Sequence, residues 1–407
     1  MARWQEGGCP TPVGLAAKYR MRTWLLTFIA LQVTACSQLD RLTAVSAGDT
    51  SRAIVLGIAD ARFLPTDIKG ISVLGQRLYE REAKYGAASY DTHTKEYFLA
   101  LSGGGDNGAF AAGLLVGWSE SGTRPAFKIV TGISTGALIA PFSYLGSAYD
   151  PTIAQMYSDI EQKDIFQRRP VLAGLTSDAL ADTAPLENMI ARYLDTEIVE
   201  RIAEEYRRGR ALIIVTTNLD AGVPVIWNIG AIAESGRPER VALIRKILLA
   251  SAAVPALFPP VMFDVTVDGA AHQELHVDGG ASMQTFLYPV ALQIGRTFAA
   301  KAPRTRIAYI IRNGRLTPDW SQVDRSTLSI ASRAVATLTI NQGVGDLFRM
   351  YALTKRDGIA FRLAFIDDGF REPHPAAFDH AYMTKLFEYA RAKARSGYPW
   401  LTAPPGF

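Results

Sequence analysis

The sequence predicts an α/β protein with a mostly parallel central sheet and helices on both of its faces. Three observations carry that reading. Short apolar runs of strand length alternate with helical runs from residue 97 to residue 395. Two of the runs, 97–101 and 127–131, pass directly into glycine turns and then into small-residue helical stretches at 109–118 and 135–145. Finally, 48% of the 407 residues are apolar and 20% charged, enough to bury a sizeable core and too apolar for a disordered chain.

The elements follow in order. Ile71, Leu74, Leu78 and Tyr79 recur at helical spacing after the turn Pro65-Thr66-Asp67. Beyond the two glycine turns, 152–207 reads as mostly helical. The run 210–217 is a third buried strand, with a hairpin partner at 223–227. A helix at 241–252 is closed by Val254-Pro255 and Pro259-Pro260. Residues 261–267 and 273–277 flank Asp268-Gly269, a hairpin turn signal. Strands at 306–311 and 359–365 and long helices at 326–355 and 379–395 complete the chain, the last helix stopped by Gly397.

Charge and cysteine usage narrow the function classes. The formal charge is +4, but residues before Cys36 contribute Arg3, Lys18, Arg20 and Arg22 against Glu6, so the remainder is nearly neutral and shows no nucleic-acid footprint. Lys18, Arg20 and Arg22 precede an apolar run, 24–31, too short to span a bilayer, and Val33-Thr34-Ala35 places small residues directly before Cys36. This stretch resembles a bacterial lipobox. The resemblance implies that Cys36 is acylated and becomes the new N-terminus, anchoring the protein to a membrane surface. With Ser37 rather than Asp after it, the implied address is the outer membrane of the cell envelope. Met21 is an alternative start, and an ordinary cleaved signal or an uncleaved anchor is the alternative to a lipoprotein. Cys9 is the other cysteine, so no Cys-based metal site is expected, and no cofactor or metal spacing is visible.

The chemistry-bearing residues lie in the turns. Gly103-Gly104-Gly105-Asp106-Asn107-Gly108 spells G-x-G-x-x-G, yet the next strand ends without the carboxylate that a dinucleotide ribose requires. Gly132-Ile133-Ser134-Thr135-Gly136 spells G-x-S-x-G, the pattern of a serine raised on a strand-to-helix turn, and the first turn can present backbone N–H donors to an oxyanion. Two glycine turns that merely permit tight helix–sheet packing are the bland alternative.

A neutral serine needs a proton acceptor. None of His272, His276, His374 and His380 sits in a turn after a convincing buried strand. Asp278-Gly279-Gly280 does follow a strand, so Asp278 is the expected base, whereas Asp268-Gly269 is explained as a hairpin tip. The apolar run 256–262 reads as core first and as an acyl groove second.

In this order the three motifs resemble the patatin-like phospholipases over residues 97–285, with 216–220 and 251–255 similar as well. The resemblance implies a patatin-like three-layer α/β/α fold and a Ser–Asp dyad. Ser134 would be nucleophile, Asp278 general base, and the N–H groups of Gly103, Gly104 and Gly105 the oxyanion hole. Gly108, Gly132, Gly136, Gly279 and Gly280 complete the motifs. It implies a lipid acyl hydrolase that needs no metal, acting on a lipid or acyl ester. Acyl transfer by the same dyad and a silent lipid-binding anchor are the alternatives. Asn107 stands where many members of the family carry Arg or Lys, and Asp106 beside it would repel a phosphate, which leaves the headgroup open. The expected division is a signal segment 1–35, a tether and helical preface 36–95, a catalytic core 96–300, and a C-terminal α/β extension 301–407 packed on the core.

Overall fold

The computed structural model describes residues 41–85, 95–158, 160, 162–165, 167–168, 181–298, 304–317, 320 and 322–407. The expected signal segment, 1–35, and Cys36 lie outside these. Nine strands form one sheet: β1 (Arg62–Phe63), β2 (Lys95–Leu101), β3 (Ile129–Gly132), β6 (Ala211–Asn218), β7 (Val223–Asn228), β8 (Val261–Val267), β9 (Ala270–Asp278), β10 (Thr305–Arg312) and β11 (Ala360–Phe365). Strands β4 (Gln167–Arg168) and β5 (Ala181–Asp182) form a separate two-stranded ribbon. The order is β1-β7-β6-β3-β2-β10-β11, with β6, β3, β2, β10 and β11 parallel and β7 and β9 antiparallel to β6.

Alternation along the parallel strands explains two cores. Leu99, Leu101, Val130, Leu212 and Ile214 face one side, under α2 (Gly108–Glu120), α3 (Thr135–Leu145) and the helices that follow. Phe98, Ala100, Ile213 and Val215 face the other, under α1 (Ile68–Tyr85) and α11 (Thr327–Arg356). Between them in the chain run α4 (Asp150–Ser158), α5 (Gln162–Ile165), α6 (Ala184–Tyr193), α7 (Thr196–Arg207), α8 (Ile229–Glu234), α9 (Arg240–Ser251) and α10 (Ile294–Phe298), and α12 (His380–Arg395) follows β11. The result is the expected mixed α/β architecture with a mostly parallel sheet and helices on both sides.

Two departures from expectation have clear causes. Residues 41–63 do not hang free as a tether: Arg41 pairs with Asp220, Ile54 bridges Thr266, and β1 adds to the sheet edge at β7. The segment 301–407 is not laid on a finished core, because β10 sits inside the sheet beside β2. On α2, Gly113 and Gly117 let the backbone of α12 approach so closely that a β-carbon at either would overlap Phe387 O or Arg391 O.

Candidate active site

The site is assembled by one strand. Along the same edge of β6, Ile214 is level with Gly132 of β3, and two residues further Thr216 is level with Asp278 of β9. Strand β3 therefore ends where β9 arrives from the opposite direction, and the two G-rich turns meet across that gap. Asp278 is fixed there by its own N–H, which donates to Ala253 O at 2.8 Å.

Ser134 occupies the turn between β3 and α3 with φ 54° and ψ −126°, a conformation that a side-chain-bearing residue adopts only at a cost of about 1–3 kcal/mol. The turn is this tight because Gly132 and Gly136 carry no β-carbon: one at Gly132 would meet Gly136 O at 2.5 Å, and one at Gly136 would meet Leu101 O at 2.5 Å. Ser251, at the end of α9, ties the turn down. Its hydroxyl accepts from Ser134 N–H at 3.1 Å and donates to Val215 O at 2.7 Å. The helix that starts at Thr135 directs the positive end of its dipole at the turn.

Ser134 is 7% exposed and Asp278 4%. Asp278 Oδ1 accepts from Gly280 N–H at 2.6 Å, while Oδ2 is buried and has no hydrogen-bond partner. Burial pushes this carboxyl up to about 7, against the Ser134 hydroxyl and the Gly280 N–H, which both favour its ionised form. The serine is thus close enough to act on the carboxyl although no formed hydrogen bond reaches Oδ2. Such gaps are common before substrate binds.

The glycine loop lies over this pair. A β-carbon at Gly103 would stand 3.2 Å from Ser134 Cβ. Gly103 N–H, expected to be an open donor, is engaged instead: it donates to Gln284 O at 3.0 Å, because the 278–285 turn folds across the loop. Among the described residues, the N–H groups of Gly104 and Gly105 have no such acceptor, nor does that of Thr135. Gly108 opens α2 against Thr135 and Tyr157, Gly279 presses on Val215 O, and Gly280 lies between Asp278 and Gln284.

Several supporting residues were not foreseen. Asn313 clamps the loop: its N–H and Nδ2 donate to Ser102 Oγ and O at 2.8 and 2.9 Å, and its Oδ1 accepts from Ala111 N–H at 3.1 Å. Gln284 Nε2 donates to Gly280 O at 2.8 Å. Asp346 Oδ2 accepts from the N–H groups of Gln284 and Thr285 at 2.7 and 3.2 Å. The only signal for any of these was the position of Ser251 in a stretch already singled out. Asp106 is also placed differently from expectation. Its buried carboxylate accepts from His374 Nε2 and Phe378 N–H, both at 2.7 Å, so its charge is held by the C-terminal region; Tyr382 OH donates to Asn107 Oδ1 at 2.7 Å.

The other histidines are occupied elsewhere. His276 is buried between Thr216 and Glu274, and burial pulls its imidazole pKa down. His272 meets Thr43 O, and His380 meets Ser158 O. Asp268 and Gly269, both with positive φ, form the tip of the β8–β9 hairpin, with Asp268 on the surface beside Arg52. Phe258 and Val261 of the run 256–262 are core residues. Among the described residues no group of three His, Cys, Asp or Glu side chains is gathered for a metal.

Residues 99–290 match the family model described as patatin-like phospholipase, which supports a lipid hydrolase at the level of that family. The crystal structure of VipD from Legionella pneumophila is similar at 13% sequence identity over 76% of this chain and 68% of that chain, with a TM-score of 0.31. No curated protein sequence matches the chain.

Proposed function

We propose, from a patatin-like phospholipase match at residues 99–290, that this protein cleaves carboxylic esters of membrane lipids through a dyad of Ser134 and Asp278. The observation that carries the proposal is the meeting of a serine on a strained turn with a buried, partly unsatisfied aspartate at one gap in the sheet. Ser134 Oγ attacks the ester carbonyl while Asp278 Oδ2, with no competing donor, takes its proton. The carbonyl oxygen gains negative charge, which the N–H groups of Gly104 and Gly105 and the amino end of α3 stabilise. Collapse releases the alcohol, which recovers the proton from Asp278. Water then attacks the acyl-serine with the same base, freeing the fatty acid and regenerating Ser134.

With Asp106 bound to His374 and Phe378, its carboxylate is engaged inside the protein, and the loop offers the headgroup the amide of Asn107 in place of a cation. Acylated Cys36 would hold the enzyme at a membrane of the cell envelope, where such substrates are found.

A fluorophosphonate probe tests the reading. The expected result is labelling of the wild type and none of Ser134→Ala, with fatty acid released from phospholipid by the wild type alone. An unlabelled wild type would overturn it, and acyl transfer to an added alcohol in preference to water would replace hydrolase by transferase.

A further inference from the structure

The carboxyl edge of the sheet carries a feature that the proposed chemistry does not use. Helix α11 is 30 residues long, about 45 Å, while the eight residues of β10 span about 26 Å. The helix runs back along the sheet, with Leu347, Met350 and Leu353 packed in the core. Arg312, the last residue of β10, donates to Ile340 O at 3.4 Å and lies against Gly343. Residue 340 is therefore level with the end of the strand. The preceding part, 327–339, overhangs by about 20 Å the edge at which Ser134 and Asp278 sit.

Among the described residues, nothing is packed on the apolar face of this overhang. Ile330, Val335 and Leu338 are 55%, 62% and 69% exposed. At helical spacing they join Thr327, Ala331 and Ala334 in a single stripe, while Ser329, Ser332 and Arg333 take the opposite side. Trp320, just before the helix, is 88% exposed. Arg333 is the one charged residue in 327–345, and with Asp319 and Asp324 against Arg325 and Arg333 the stretch 319–345 carries no net charge. The root of the helix is hydrogen-bonded to the turn that follows Asp278, through Asp346 to Gln284 and Thr285 and through Gln284 to Gly280. Among the described residues no helix is long and apolar enough to cross a membrane.

We propose that 327–339 of α11, with Trp320, is an interfacial helix that seats on the lipid surface holding the substrate. A lipid surface is the occupant that the features select together. An apolar stripe with an uncharged balance suits the surface of a bilayer, an exposed tryptophan suits its headgroup layer, and the overhang brings that surface to the edge where the ester is cleaved. The inference rests on the lipid-ester reading of Ser134.

The test uses the full chain with Cys36→Ser and Ser134→Ala, so that neither an acyl anchor nor turnover contributes, and vesicles of phosphatidylglycerol and phosphatidylethanolamine. Hydrogen exchange read by mass spectrometry should show 327–339 protected when vesicles are added. Ile330→Glu with Leu338→Glu should abolish that protection and weaken vesicle binding at least about tenfold per side chain. In a chain with Ser134 intact, the same pair should lower hydrolysis of vesicle lipid and leave hydrolysis of soluble p-nitrophenyl butyrate unchanged. Unprotected 327–339, or an oligomer that the double variant converts to monomer without vesicles, would overturn the proposal, the second in favour of a self-association face. If p-nitrophenyl butyrate is not hydrolysed at all, the ester reading fails on its own, while the exchange experiment still decides the role of the helix.

Discussion

The two ends of the same parallel strands treat their polar groups in opposite ways. At the amino edge, buried charges are satisfied several times over. Lys128 Nζ meets Glu82 at 2.7 Å, Arg304 reaches Glu82 at 2.9 Å and Glu96 at 3.1 Å, Arg306 Nε meets Glu96 at 2.8 Å, and Tyr79 OH donates to Glu96 at 3.0 Å. This network fastens α1 to β2, β3 and β10. At the carboxyl edge, Asp278 Oδ2 has no hydrogen-bond partner, Ser134 is held in a costly conformation, and Gly104 and Gly105 keep their N–H groups open. One edge closes its hydrogen bonds and contributes stability; the other leaves them open, as the proposed chemistry requires.

Substitutions that exchange these roles would break the comparison. The largest effect is expected for Ser134→Ala, which should lower ester hydrolysis at least about 1,000-fold while leaving the melting temperature equal or higher. A drop in both would mean that the serine is structural. Asp278→Asn should remove activity to a similar extent and also separate the two edges by pH. A carboxyl at about 7, against an ordinary 3.8, favours folding while protonated. That contribution is complete below 3.8, falls as pH rises towards 7, and is absent above 7, a swing on the order of 4 kcal/mol. Above pH 7 the Asn variant should therefore melt higher than the wild type, and below pH 4 the two should converge. The wild-type kcat/KM for a soluble ester should rise about tenfold per pH unit up to about 7 and then level.

Lys128→Met makes the converse test at the amino edge. It should cost about 3 kcal/mol in chemical denaturation, since Glu82 loses one of two cationic partners, yet leave the fluorophosphonate labelling rate of folded protein unchanged. The smallest effect is expected for Ser251→Ala, which leaves the buried Ser134 N–H without an acceptor. A loss of about 1–2 kcal/mol in stability with a modest fall in labelling rate would mark Ser251 as the support of the turn.

How much of this was legible depends on whether a constraint is local. Gly132 was readable because the clash that excludes a side chain arises within five residues of chain, and it carries Gly136 with it in one short motif although a β-carbon there would meet the distant Leu101 O. Strands 97–101 and 210–217 were readable because burial on both faces demands an unbroken apolar run. Asp268 and Asp278 were separable because a two-residue hairpin tip has its own chemistry. What the residues around Ser134 do not announce is the support from far away: Ser251, Gln284, Asn313 and Asp346 act through hydrogen bonds to groups distant in sequence, mostly main-chain ones, which leave no periodicity or spacing behind. Asp106 was misjudged for the same reason, since its partners are more than 260 positions distant. The placement of β10 inside the sheet depends on pairing with β2, and nothing in either strand's composition encodes its neighbour.

The contact of Gly113 and Gly117 with the backbone of α12 has a consequence for biosynthesis. Strand β2, the glycine loop and α2 are translated early, yet their partners β10, β11 and α12 come from the ribosome only after residue 300. The open edge of β2 waits for β10, and the flat glycine face of α2 waits until Phe387 and Arg391 of α12 are made. A nascent or prematurely terminated chain that already holds Ser134 and Asp278 would then be a client for chaperones and proteases rather than a smaller enzyme. Such an arrangement keeps the proposed lipid-cleaving site unassembled until synthesis is nearly over.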